Sequence, residues 1–357
     1  MDFDLDEHQR EIAGLAADVL RRESEPDAAW RALADTGLLA LALPPELGGD
    51  GLGVLEVAVL LTEVGRAAAA LPALPVLALG VLPVEHLGGP DQRAALLPDV
   101  AAGGALLTAA LHEPSGPFTT RPATTATAEA GIWRLTGVKT AVPYAAEARR
   151  VLVPATMPGG TGVFLVDPAG EGVTPTATWT STGNPEYTLR LDGAPVTETD
   201  LLDSREPGQA LAVLHRYALA GVAALGDGAL AGALALTTSH LGSREQFGRP
   251  LATFQAVAQQ VADVYIASRT VHLAALTAAW RLASGLDPDA DLDVAAYWLT
   301  EEAPRALAAC HHLHGGIGVD ADYPLHRYSA LVKDLARAAG GAATRLDRLG
   351  DLVAGGA

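Results

Sequence analysis

The feature that most constrains this chain is a change of hydrophobic period that happens twice. Up to about Leu106 apolar residues recur at helical spacing, as in Ile12, Leu15, Ala16, Val19 and Leu20, and again in Val57, Leu60, Leu61 and Val64. Asp6 with Gln9 has the spacing of a capping box, and Gly37 is placed as a C-cap behind the helix of Trp30 and Leu33. Between Thr119 and Thr199 the spacing shifts toward two: short runs such as Arg150–Val153, Val163–Val166 and Tyr187–Leu191 sit between Gly, Pro and Thr turns. From about Glu206 the helical period returns, with Leu211, Leu214, Ala218, Leu219 and Val222 on one face and Val257, Val261, Val264 and Tyr265 on another. Abundant Ala and Gly there permit close helix approach. Asp287-Pro288-Asp289 reads as a turn, and Pro304 is expected to kink or restart the helix that follows. The expectation is an α+β multidomain chain: an N-terminal helical domain (1–105), a middle β-barrel domain (106–205) and a C-terminal helical bundle (206–357).

A chain of 357 residues buries a large core without staples, and its single cysteine, Cys310, excludes an intrachain disulfide and fits a reducing cytoplasm. The net charge of −18 argues against a nucleic-acid backbone or an anionic membrane surface as partner, so an anionic ligand needs a local basic patch. The opening Met1-Asp2-Phe3-Asp4 lacks the basic start of a signal peptide. The long uncharged run from Arg66 to Glu85 is broken by Pro72, Pro75 and Pro83, which predicts two short buried helices with turns instead of a membrane span.

Two segments carry the chemistry. Arg244-Glu245-Gln246-Phe247-Gly248-Arg249-Pro250-Leu251 is followed by Thr253-Phe254-Gln255. An arginine and amides beside a tight Gly/Pro turn suit a pyrophosphate, although a capped helix end with a solvated Arg reads the same in isolation. His312-Leu313-His314-Gly315-Gly316-Ile317-Gly318 precedes Tyr323-Pro324-Leu325-His326-Arg327, and adjacent glycines let a ligand approach the backbone. The cluster His311, His312 and His314 lacks the spacing of a metal site. Together the two segments resemble the acyl-CoA dehydrogenase family, whose flavin-pyrophosphate segment reads R-x-x-F-G and whose later segment reads Q-x-x-G-G-x-G before Y-P-x-x-R. The resemblance covers essentially the whole chain.

The resemblance implies FAD lying across a subunit interface, its ADP half gripped by a neighbour through Arg244, Gln246, Phe247, Gln255, His312, Gly315 and Gly316. His312 stands where the family has Gln and still donates one hydrogen bond. In this family a glutamate removes the proton α to a thioester while flavin accepts a hydride. Here Ala339 occupies one position where members carry that base, and His215–Leu219 at the other holds no carboxylate. Asp227 lies about nine residues past it, roughly 13 Å along a helix. No catalytic residue is therefore expected in this chain. The flavin-ring segments also depart from the pattern: T-E-P-x-x-G-S-D becomes His112-Glu113-Pro114-Ser115-Gly116-Pro117-Phe118-Thr119, and K-x-W-I-T becomes Lys139-Thr140-Ala141-Val142-Pro143.

That combination is similar to the glutamate-lacking subunit of actinobacterial heteromeric steroid acyl-CoA dehydrogenases. Asp263–Thr270, Cys310–Gly316, Lys333–Leu335 and Leu60–Arg66 carry the similarity. It implies a cytoplasmic heterotetramer with two copies of each subunit and FAD shared with a catalytic acyl-CoA dehydrogenase partner. The implied acyl-CoA substrate is a steroid side chain such as 3-oxo-4-pregnene-20-carboxyl-CoA, in cholesterol catabolism, with an electron-transferring flavoprotein as acceptor. Two alternatives stay open: a homomeric flavoprotein of monooxygenase-like chemistry, and a flavin-free scaffold that binds acyl-CoA.

Overall fold

The computed structural model describes residues 3–129, 131–202 and 208–355. Helices α1 (Glu7–Arg22), α2 (Pro26–Asp35), α3 (Val54–Arg66), α4 (Leu82–Leu87) and α5 (Pro90–Ala101) come first. Strands β1 (Leu106–Ala109), β2 (His112–Glu113), β3 (Gly116–Pro117), β4 (Thr125–Glu129), β5 (Ile132–Pro143), β6 (Ala148–Met157), β7 (Gly160–Val166), β8 (Val173–Thr178) and β9 (Glu186–Val196) follow. Then come α6 (Gln209–Ser243), the ribbon β10 (Glu245–Gln246) and β11 (Arg249–Pro250), and α7 (Gln255–Ala283), α8 (Asp289–His314), α9 (Leu325–Ala338) and α10 (Gly341–Gly355). The boundary placed at 205/206 lies outside the described residues.

The chain forms two compact units. One holds α1, the last turns of α3 and everything from Val222 onward; the other holds the remaining N-terminal segments, strands β1–β9 and the start of α6.

Local signals set several elements as the sequence predicts. Asp6 and Gln9 exchange bonds, Gln9 N–H donating to Asp6 Oδ1 at 2.8 Å and Asp6 N–H to Gln9 Oε1 at 3.2 Å. Gly37, at φ +79°, ends α2 in the left-handed conformation that a β-carbon disfavours. Other expectations give way to packing. On α1 the buried stripe is Ile12, Ala16 and Val19, while Leu15 is exposed. On α7 Val264, Ser268, Val271 and Ala275 face inward, and Tyr265 points to solvent. The proline-broken run forms one continuous buried helix, π-helical over Leu74–Val81 and α-helical from Leu82. The change of winding falls between Val81 and Leu82, just before Pro83, which has no N–H to keep a ladder in step. Helix α8 runs through Pro304 without restarting.

The strands build one nine-stranded sheet, mixed because β1 and β4 run parallel to β6. Its antiparallel centre is β4–β5–β9–β8, with β6–β7 beside it. Inward residues of several strands, among them Leu135, Val151, Val153, Phe164, Leu189 and Leu191, share one apolar core. In β9 the alternation is direct: Leu189 and Leu191 are buried and Arg190 between them is exposed.

In the other unit α3 crosses α6 with backbones in contact. A β-carbon on Gly228 would lie 1.8 Å from the Thr62 carbonyl oxygen, and one on Gly65 would lie 2.0 Å from that of Leu225. Tyr328 O–H on α9 donates to the Arg66 carbonyl at 2.9 Å. Helix α6 is apolar enough by length and composition to cross a bilayer, but 78% of its most apolar window is buried inside the protein, as a core helix requires.

Candidate functional site

The first sequence motif forms a tight ribbon between α6 and α7. Phe247 and Gly248 have φ of +55° and +77°, the pattern of a type I′ turn, and Gln246 pairs with Arg249. Leu251 N–H closes the loop on the Arg244 carbonyl at 2.9 Å. Gly248 takes its conformation freely, whereas Phe247 holds it at a cost of order 1–3 kcal/mol. The strained residue is also 91% exposed, so burial does not repay that cost within this chain. Its ring lies edge-on to Phe254 at 6.1 Å, and the Arg249 guanidinium sits 4.1 Å above the Phe254 ring. Helix α7 begins at Gln255 with no side-chain cap and no acid in its first turn. Its leading N–H groups therefore keep their partial positive charge. Arg244, Gln246, Phe247 and Gln255 are all exposed.

The second motif is the end of α8. Gly315 leaves the helix at φ +62°, and a β-carbon at Gly315 or Gly316 would meet nothing within 4 Å. The turn presents open backbone, with His312 exposed one position before Leu313. The neighbouring histidines do different work. His311 bonds through Nδ1 to the Gly318 carbonyl at 2.8 Å and through Nε2 to Ser329 Oγ at 2.6 Å. His314 is buried, with Nδ1 on the Cys310 carbonyl at 2.8 Å and Nε2 on Tyr323 Oη at 3.0 Å. Only His312 of the three faces solvent. Among the described residues no group of His, Cys, Asp or Glu is placed to hold a metal ion. His314 stacks on His240 of α6 with ring centroids 4.6 Å apart. This contact brings the ends of α6 and α8 together, so both motifs belong to one surface. An arginine, an uncapped helix start and an open glycine turn suit a diphosphate ester such as the ADP half of a dinucleotide.

The segments expected to meet a flavin ring lie in the other unit. Phe118 has φ +50°, is 4% exposed, and packs its ring against His112 at 5.6 Å and His215 at 5.1 Å. Ala141 and Tyr144, at φ +52° and +51°, put two more strained residues on β5 and the turn behind it. Below them Lys139 and Glu113 form a buried ion pair at 2.7 Å. Glu113 also accepts from the N–H of Ala123 and from the N–H and hydroxyl of Thr124. Burial works to raise the Glu113 pKa, but Lys139 and Thr124 together hold it below the usual range. Burial pushes the Lys139 ammonium down, offset in part by Glu113. Sequence reasoning placed both residues in the altered segments without pairing them.

Three acids of the helical unit that could stand in for a base have other surroundings. Asp227 is buried and bonds His272 Nδ1 at 2.9 Å, Glu301 pairs with Arg305, and Asp334 is half-buried on α9. Ala339 is fully buried and its carbonyl accepts from Arg345 Nε at 2.5 Å. Arg345 is in turn fixed by Asp293 at 2.8 Å.

Residues 6–104 match the acyl-CoA dehydrogenase N-terminal domain and residues 214–349 the acyl-CoA dehydrogenase C-terminal domain. The acyl-CoA dehydrogenase FadE28 of Mycobacterium tuberculosis is 46% identical over 350 residues, covering 98% of both chains. Among solved structures, a variant of the Tcur3481-Tcur3483 steroid ACAD superposes with a TM-score of 0.91 at 38% identity, covering 98% of both chains. The ChsE4-ChsE5 complex from Mycobacterium tuberculosis gives 0.92 at 33% identity, covering 99% of both. The fold, the placement of the two motifs and these full-length likenesses agree: the chain belongs to the acyl-CoA dehydrogenase family.

Proposed function

We propose that this chain is the non-catalytic subunit of a heteromeric FAD-dependent acyl-CoA dehydrogenase, where it completes the flavin site of a catalytic partner. The observation that carries this reading is the contrast between the two half-sites. The surface around Arg244 and Gly315 is open, whereas Phe118, in the segment that would meet a ring, is buried. When bound, FAD supplies the hydride acceptor. Arg244 would pair with its diphosphate, Gln246, Gln255 and His312 would donate hydrogen bonds, Phe247 would pack against the ADP half, and Gly315 and Gly316 would admit the ligand to the backbone. The partner holds the ring and the acyl group and supplies the base.

Exposed apolar side chains on α7 (Tyr265, Ile266, Leu273) and α10 (Leu346, Leu352) support a surface covered in an assembly. The likeness to a steroid ACAD and to a two-component complex supports a steroid side-chain acyl-CoA substrate, 3-oxo-4-pregnene-20-carboxyl-CoA being the chosen member. An electron-transferring flavoprotein is the proposed acceptor and the cytoplasm the proposed compartment. A homomeric flavoprotein would need its own ring site, and Phe118 stands against it.

The test targets the base. Asp227→Asn, Glu301→Gln and Asp334→Asn in the assembled enzyme are expected to change turnover only modestly. Loss of a general base costs about 10²–10⁴ in rate, and removing the partner's glutamate should cost that much. If one of the three amides abolishes turnover with flavin content and assembly intact, this chain is catalytic and the reading fails.

A further inference from the structure

The two motifs are far apart in sequence, yet a diphosphate can use both only if α6 and α8 end in fixed register. His240 lies one turn before Arg244, whose N–H donates to the His240 carbonyl at 2.8 Å. His314 lies one residue before Gly315. Their rings stack at 4.6 Å and 19°, and Tyr323 meets both, tilted against His314 at 5.2 Å and edge-on to His240 at 6.4 Å. Nδ1–H of His314 donates to the Cys310 carbonyl, so in the neutral ring Nε2 accepts from the Tyr323 hydroxyl. Protonating both rings would set two cations face to face at 4.6 Å beside the Arg244 cation.

We propose that the His240–His314–Tyr323 cluster is the positioning device that holds Arg244 and the Gly315–Gly316 turn in register for the ADP half of FAD, and that it does so only while both imidazoles are neutral. This rests on the ADP-binding reading above. The charged and titratable groups facing the stack agree with it. Arg244 is the cation beside His240, while His311 lies one turn before His314, Tyr323 closes the side, and the buried Cys310 thiol lies under the turn. Burial lowers the pKa of His240, and Arg244 adds to it. Burial likewise lowers that of His314, with His240 and His311 adding to it against the Cys310 carbonyl. Histidines depressed in this way favour the intact cluster above their ordinary pKa of about 6.5. That support is lost as the pH falls below it.

The experiment measures FAD retention by the assembled enzyme, from flavin fluorescence across pH 5–8, with thermal melting and gel filtration on the same samples. His240→Ala should weaken retention at neutral pH about three- to tenfold, the range for one lost aromatic contact. His240→Phe keeps a ring without a proton site, so it should restore neutral retention and move the acid loss to lower pH, because His314 no longer faces a second imidazole. Unchanged retention in His240→Ala, or a wild-type acid loss in His240→Phe, overturns the proposal. Arg244→Ala separates the two claims: if it too retains FAD normally, the ADP-binding reading itself is wrong. If only Arg244→Ala loses FAD, the positioning role alone is wrong.

Discussion

At the scale of single residues the decisive contrast is between Arg244, exposed on a tight turn, and Lys139, buried on a strand. Each predicts a different kind of loss. Arg244→Ala removes a charge-assisted contact to phosphate, worth about 1.5–3 kcal/mol, so FAD affinity of the assembled enzyme should drop roughly ten- to a hundredfold with the melting temperature nearly unchanged. Lys139→Met leaves the Glu113 carboxylate buried without its ion partner, and should cost about 3–5 kcal/mol in denaturant unfolding. Because Glu113 is held below its ordinary pKa, the stability it contributes is present above roughly pH 4.3 and is lost as the pH falls through its folded value. An acid titration of the fold should show that loss. Arg244 was legible in the sequence because a turn motif surrounds it. The Lys139–Glu113 pair was not, since 26 positions separate partners that only strand pairing brings together.

At the scale of elements, helix ends were legible wherever a local contact decides them, as at Asp6–Gln9 and Gly37. Winding was not. Pro75 and Pro83 read as breaks, yet surrounding apolar packing holds Leu74–Leu87 as one helix that changes winding just before Pro83. Similarly α8 continues through Pro304, because losing one hydrogen bond is offset by a buried face that includes Ala303, Ala306 and Leu307. The α3–α6 crossing was foreseen only as abundant small residues; which glycines touch follows from the structure. Gly228→Ala would drive a β-carbon into the Thr62 carbonyl, so the two helices must move apart. The expected cost is about 1–3 kcal/mol by thermal melting. The same substitution at Gly242, which has no neighbour within 4 Å, should leave stability unchanged or slightly raised.

At the scale of the whole molecule, the chain carries the acyl-CoA dehydrogenase fold, and the proposal is that it presents only the ADP half of a flavin site. The order helix, sheet, helix was readable from the change of hydrophobic period. The burial of Phe118 was not, because a residue at positive φ looks in sequence like any altered loop residue. The most direct measurement is the flavin content of the purified chain, alone and assembled with its catalytic partner, by absorbance and protein quantitation. The account expects a colourless or flavin-poor chain alone, and about two FAD per four chains once the heterotetramer forms. One FAD bound per chain in a homo-oligomer of this protein would contradict it.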